Sequence, residues 1–131
     1  MGRAIVRACI AGLFLVTGTI HLLHPALFFP AMPPWIPFHF ACIVISGVCE
    51  LLGGLGLLMP LPAMRRAAAW GLTALLVAVF PANIHMALAH VQIHGFPRHV
   101  WVEWARLPLQ PLLVWAVLWS SATPNYLSAK Q

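Results

Sequence analysis

Aspartate is absent from the 131 residues, and glutamate occurs only at Glu50 and Glu103. Charged residues make up 7% of the chain against 62% hydrophobic, and the mean hydropathy is +0.91. A soluble domain of this length needs a polar surface, and these residues cannot supply one. The composition is that of a membrane protein. A net charge of +5 would direct a soluble protein toward nucleic acid. Here the basic residues stand singly or, at Arg65-Arg66, as one pair near the ends of apolar runs, where they orient a chain in a bilayer. The partner implied is lipid, and nucleic acid is excluded.

Reactive motifs are equally scarce. The three cysteines, Cys9, Cys42 and Cys49, form no CxxC. Cys42 and Cys49 lie two turns apart on one apolar run, too far to bridge without rearrangement. Disulfide exchange by this chain alone is therefore not expected. There is no phosphate loop, nucleophile elbow or HExxH, which removes soluble-type kinase, hydrolase and zincin readings.

What is present is a single domain over residues 1–131, with room for about four spans of roughly 20 residues each. Four apolar runs fit, at about 4–23, 40–59, 67–89 and 104–121. The predicted fold class is all-α, a membrane-embedded four-helix bundle. Arg3 and Arg7 ahead of the first run resemble the start of a signal peptide, but the run continues for about 20 residues and no small-x-small cleavage site follows cleanly. It therefore reads as a span. Between the first two runs "ALFFPAMPPWIPFHF" is apolar yet holds four prolines, which rules out a spanning helix and predicts an interfacial or re-entrant segment. With four spans both termini share a side. That side carries Arg3, Arg7, Arg65, Arg66 and Lys130, leaving Arg98 and Arg106 opposite. The positive-inside rule makes it the cytoplasm. Trp35, Trp101 and Trp104 then mark the outer interface, and Trp70 and Trp119 the inner one.

On this topology the seven histidines, at 21, 24, 39, 85, 90, 94 and 99, all fall in outer halves or outer loops. His21 and His85 sit inside spans, roughly 10 Å outward of the bilayer middle. Asn83 lies slightly deeper, Arg106 at a similar level, and Glu50 near the midplane. Ionisable groups at these depths are costly unless they face the interior and find partners. Glu50 shares its face with Ser46, Gly47, Gly53 and Gly54, small residues that let other helices approach. Glu103, Arg106 and Gln110 share a face of the last span, which Pro108 and Pro111 bend. Arg106 can pair locally with Glu103 or reach Glu50, and the deeper carboxylate is the favoured partner. Pro81 kinks the third span, and Asn83 is suited to bonding the loosened backbone. Asn83 and His85 are about 200° apart on a regular helix, so they cannot both face one point without help from the kink.

"GTIHLLHPALFFPAMPPWIPF", "SGVCELLGGLGLL", "AAAWGLTALLVAVFPANIHMA" and "RLPLQPLLVWAVLW" together resemble the DoxX-like family of small four-helix membrane proteins. The resemblance covers nearly the whole chain. It implies a multi-pass protein of a cell membrane, as in the bacterial inner membrane, and carries His21, Glu50, Asn83, His85, Arg106 and Gln110 over as pocket positions. It also implies association with quinone-linked or thiol redox systems, although the missing cysteine pair speaks against thiol chemistry here.

Two function classes fit. One is a membrane redox component binding a quinone or other small molecule in an outward polar pocket, beside a partner redox subunit or a second copy of the chain. The other is a non-enzymatic binding or assembly module whose polar residues only hold the bundle. A metal or haem between His21 and His85 is a subordinate alternative.

Overall fold

Prolines place most of the helix boundaries. The computed structural model describes residues 1–91 and 100–122, apart from the side chains of Val100 and Glu103. His94, Arg98, His99 and Lys130, and the side-chain pairing considered for Glu103, lie outside the described residues.

Helix α1 (Gly2–Leu23) contains no proline and stops at His24, whose backbone N–H donates to Ile20 O at 2.8 Å, just before Pro25. A 3-10 helix follows at Pro25–Ala31. Helix α2 (His39–Leu58) starts after Phe38, which adopts the left-handed conformation, and ends ahead of Pro60. Helix α3 (Pro62–Ala89) begins five residues before the expected position 67, because Pro62 at the first helical position starts a helix without sacrificing a hydrogen bond. Helix α4 (Val100–Ser121) likewise includes residues before the expected 104. Polar or basic residues at the two helix starts obscure these turns in a hydropathy reading.

Contacts show that neighbours run antiparallel. Gly18 meets Gly47 while Gly54 meets Ala11 and Leu15, so α1 and α2 run in opposite directions. Gly53 lies against Leu72, and Gly56 against Ala68, giving the same relation between α2 and α3. Arg3 reaches Ala122 O and Arg7 reaches Ser120 O, which closes α4 onto α1. With α3 also packed on α4, the four α-helices form a ring with α1 opposite α3 and α2 opposite α4.

Glycines set the tightness of this ring. A Cβ on Gly18 would stand 2.8 Å from Gly47 O, and one on Gly47 would stand 2.8 Å from His21 Cβ. The first obstacle is backbone, which cannot swing away. Only glycine at both positions permits this separation of α1 and α2.

The interior is layered along the helix axes. At one end Arg3 and Arg7 bind the carbonyls that end α4. Next comes an apolar layer containing Ile10, Ala11, Phe14, Leu57, Ala69, Leu72, Leu76 and Val117, drawn from all four α-helices. Thr17, His21, Glu50, Asn83 and Gln110 occupy the following level. Beyond them Ala31 of the 3-10 helix packs on Met86 with Leu27, Phe28 and Val91 around it, so the proline-rich segment covers that end of the ring.

Large apolar side chains also project outward, including Val16, Ile45, Leu52, Val77 and Trp115. Helices α1, α2 and α3 are long and apolar enough to cross a membrane. An apolar interior combined with an apolar perimeter is the property of a membrane protein in contact with lipid.

Candidate functional site

Close approach of α1 and α2 creates the first polar site. Thr17 and His21 are four residues apart and share a face of α1. Beside them the Gly18–Gly47 contact brings Glu50 across from α2. The Thr17 hydroxyl lies 2.6 Å from Glu50 Oε2. His21 Nδ1 stands 2.9 Å from Thr17 O and 3.5 Å from the same carboxylate oxygen. Phe28 of the 3-10 helix stacks on the imidazole, with centroids 3.9 Å apart and planes inclined by 16°.

Proton counting constrains this cluster. A carbonyl oxygen only accepts, so a hydrogen bond to Thr17 O puts a proton on His21 Nδ1. Nε2 is then an acceptor in the neutral ring and a donor in the charged one. Among the described residues Nε2 has no hydrogen-bond partner, and the side chain keeps 17% of its surface exposed. The Thr17 hydroxyl carries one proton and has Leu13 O within 3.0 Å as well as the carboxylate. An ionised Glu50 accepts that proton, whereas a protonated Glu50 donates to Thr17 Oγ1 while Thr17 turns to Leu13 O. The Thr17–Glu50 hydrogen bond can thus be kept with Glu50 in either state, while His21 Nε2 stays without a partner among the described residues.

The second polar site joins α3 to α4. Pro81 has no N–H to give Val77 O, so the α3 hydrogen-bond ladder is interrupted there. Gln110, which is buried, donates through Nε2 to the adjacent carbonyl, Leu76 O. Its Oε1 accepts from Asn83 Nδ2 at 2.8 Å. Asn83 therefore bonds the Gln110 side chain across α3 and α4 and not the backbone beside Pro81, while Gln110 adds a donor to a carbonyl one residue before the freed Val77 O.

A family described as a domain of unknown function (DUF8561) matches residues 10–121. This chain belongs to the DUF8561 family. No curated protein matches it, and neither does any solved structure.

The DUF8561 region contains all six expected pocket residues but does not bring them to one point. Glu50 meets His21 and Thr17 instead of Arg106, because α2 and α4 are opposite each other in the ring and the glycine contact turns Glu50 toward α1. Arg106 approaches Met86 Sδ on α3 at 3.6 Å. His85 is half-buried and makes no hydrogen bond or ion pair among the described residues. It does not join Asn83 at Gln110, as their angular separation on the helix requires. No ring contact or hydrogen bond joins His21 to His85, which come from the opposed helices α1 and α3. No cluster of three metal-ligating side chains occurs among the described residues. All three cysteines are free.

Two participants were not among the expected site residues. Thr17 is betrayed only by its spacing from His21, a weak signal in a helix. Phe28 comes from the proline-rich segment, and nothing in its sequence context marks it as a partner for an imidazole.

Proposed function

We propose that this DUF8561 chain is a four-span integral membrane protein with DoxX-like architecture that binds a quinone, or another small membrane-soluble molecule with a hydrogen-bonding head, at His21. The observation that carries this reading is the His21–Glu50–Thr17 cluster, an ionisable pair between apolar helices with one imidazole nitrogen left to an outside partner. With Nδ1–H held by Thr17 O, a neutral His21 accepts at Nε2 from a quinol hydroxyl, and a charged one donates to a quinone carbonyl. Glu50 and Thr17 hold or release the accompanying proton. The Phe28 ring beside His21 adds an aromatic surface suited to a planar head.

The test is binding of a quinone analogue to the purified chain. His21→Ala should weaken it about tenfold or more, equivalent to the loss of roughly 1.4 kcal/mol, whereas His85→Ala should leave it nearly unchanged. Equal weakening by both variants, or no binding by the unmodified chain, removes the reading.

In this topology the proline-rich segment lies at the outer interface and the Arg3/Arg66 end faces the cytoplasm. In a background without native cysteines, a membrane-impermeant maleimide applied outside should modify His90→Cys and spare Arg66→Cys. The opposite pattern inverts the topology. A second reading, a non-enzymatic assembly module, is favoured by the Asn83–Gln110 network, which ties polar groups to the backbone without offering them outward.

A further inference from the structure

Arg3 and Arg7 of α1 and Arg65 and Arg66 of α3, apart in the sequence, gather at one end of the fold. Arg7 Nη1 donates to Ser120 O at 3.2 Å and Arg3 Nη1 to Ala122 O at 3.3 Å. The Arg3 guanidinium lies 5.2 Å from the centre of the Trp119 ring. From α3, Arg65 stands near enough for its charge to repel that of Arg7. Glu50 belongs to another level, so among the described side chains no carboxylate is placed to neutralise this cluster.

Two polar atoms in this layer are buried and have no hydrogen-bond partner among the described residues. They are Arg65 Nε and Ser121 Oγ, and Ser121 is only 3% exposed. Val117 packs in one cluster with Ala69 and Leu72. One further turn along antiparallel helices brings position 121 level with position 65. A buried guanidinium N–H and a buried hydroxyl therefore face the same layer, with Arg7 alongside.

Their chemistry points to an oxyanion. Arginine presents a planar fork matched to phosphate, and a hydroxyl can add a third donor. Helices α1 and α3 both begin at this end without a side-chain cap, so their positive dipole ends point the same way. In a protein with these apolar helices, the first turn of a span lies at headgroup depth, where the abundant oxyanion is the lipid phosphate.

We propose that Arg3, Arg7, Arg65 and Ser121 form a binding site for the phosphate of an anionic phospholipid headgroup, built between the ends of α1, α3 and α4. This site is separate from the His21–Glu50 cluster, from which the apolar layer divides it. Arginines that only set orientation would respond to total charge and not to the shape of the guanidinium.

The full chain, purified in neutral detergent, should be mixed with phosphatidylglycerol, with phosphatidylcholine or with inorganic phosphate, and followed by thermal melting and native mass spectrometry. Phosphatidylglycerol should remain bound and raise the melting temperature, and phosphatidylcholine should do so much less. Arg65→Lys keeps the charge but loses Nε and the fork, and should weaken phosphatidylglycerol binding about fivefold. Ser121→Ala, a small change that preserves the helix, should weaken it in the same direction and decides the matter if Arg65→Lys does not fold. Undiminished binding by the folded variants overturns the site in favour of diffuse charge. Stabilisation by inorganic phosphate equal to that by phosphatidylglycerol overturns the lipid as its source.

Discussion

Replacing Gln110 with leucine should lower bundle stability by about 2 kcal/mol, because the substitution keeps the volume while removing two hydrogen bonds at a buried position. Leu76 O loses its side-chain donor beside the interruption made by Pro81, and the Asn83 amide loses its acceptor. The loss falls at a site largely closed to water on the α4 side, since Gln110 is 7% exposed, while Asn83 is half-buried. Asn83→Leu alone should cost less, as it leaves the bond from Gln110 to the backbone in place. Combining the two changes should be less harmful than the sum of both, because the first removes the partner that the second would strand. Thermal unfolding in detergent of the two single variants and the double variant measures this. Strict additivity would show that Asn83 and Gln110 do not act as a unit.

This network illustrates what a sequence discloses about a membrane bundle. The all-α class, the apolar runs and the helix breaks at His24-Pro25 and Pro60 follow from hydropathy and proline chemistry, both local properties. Local reasoning also separates Asn83 from His85, since their angle on one helix is fixed. The partner of a buried polar group is a different matter. Arg106 and His21 lie at a similar depth outward of Glu50, with Asn83 slightly deeper, and depth alone cannot choose among them. The choice is made by ring order, which opposes α2 to α4, and by the Gly18–Gly47 contact, which presses α2 on α1. Both are relations between helices. "SG..EL.GG" announces a close approach without naming the helix that approaches. Phe28 was illegible for a related reason, because a 3-10 helix between prolines follows no periodicity that would aim its side chains.

The same correction changes the expected response of Glu50. Glu50→Gln retains an acceptor for the Thr17 hydroxyl but removes the negative charge facing His21. Losing one member of a pair that is mostly withdrawn from solvent should destabilise by about 2 kcal/mol, less than for a fully buried pair, because both side chains keep some exposure. His21→Gln preserves a donor for Thr17 O and removes the ring. In the Glu50→Gln background it should therefore cost much less than it does alone. Arg106→Gln should combine additively with Glu50→Gln, since α2 and α4 are opposed and Arg106 approaches Met86. These two cycles, read by unfolding in detergent, discriminate between the partners directly. Coupling of Glu50 to Arg106 as strong as its coupling to His21 would dissolve the α1/α2 site. If coupling to His21 alone is found, the binding assay gains a sharper form. Glu50→Gln should then impair quinone-analogue binding less than His21→Ala does, because the carboxylate acts on the ligand through the imidazole and its proton, while Nε2 is the atom that would touch it.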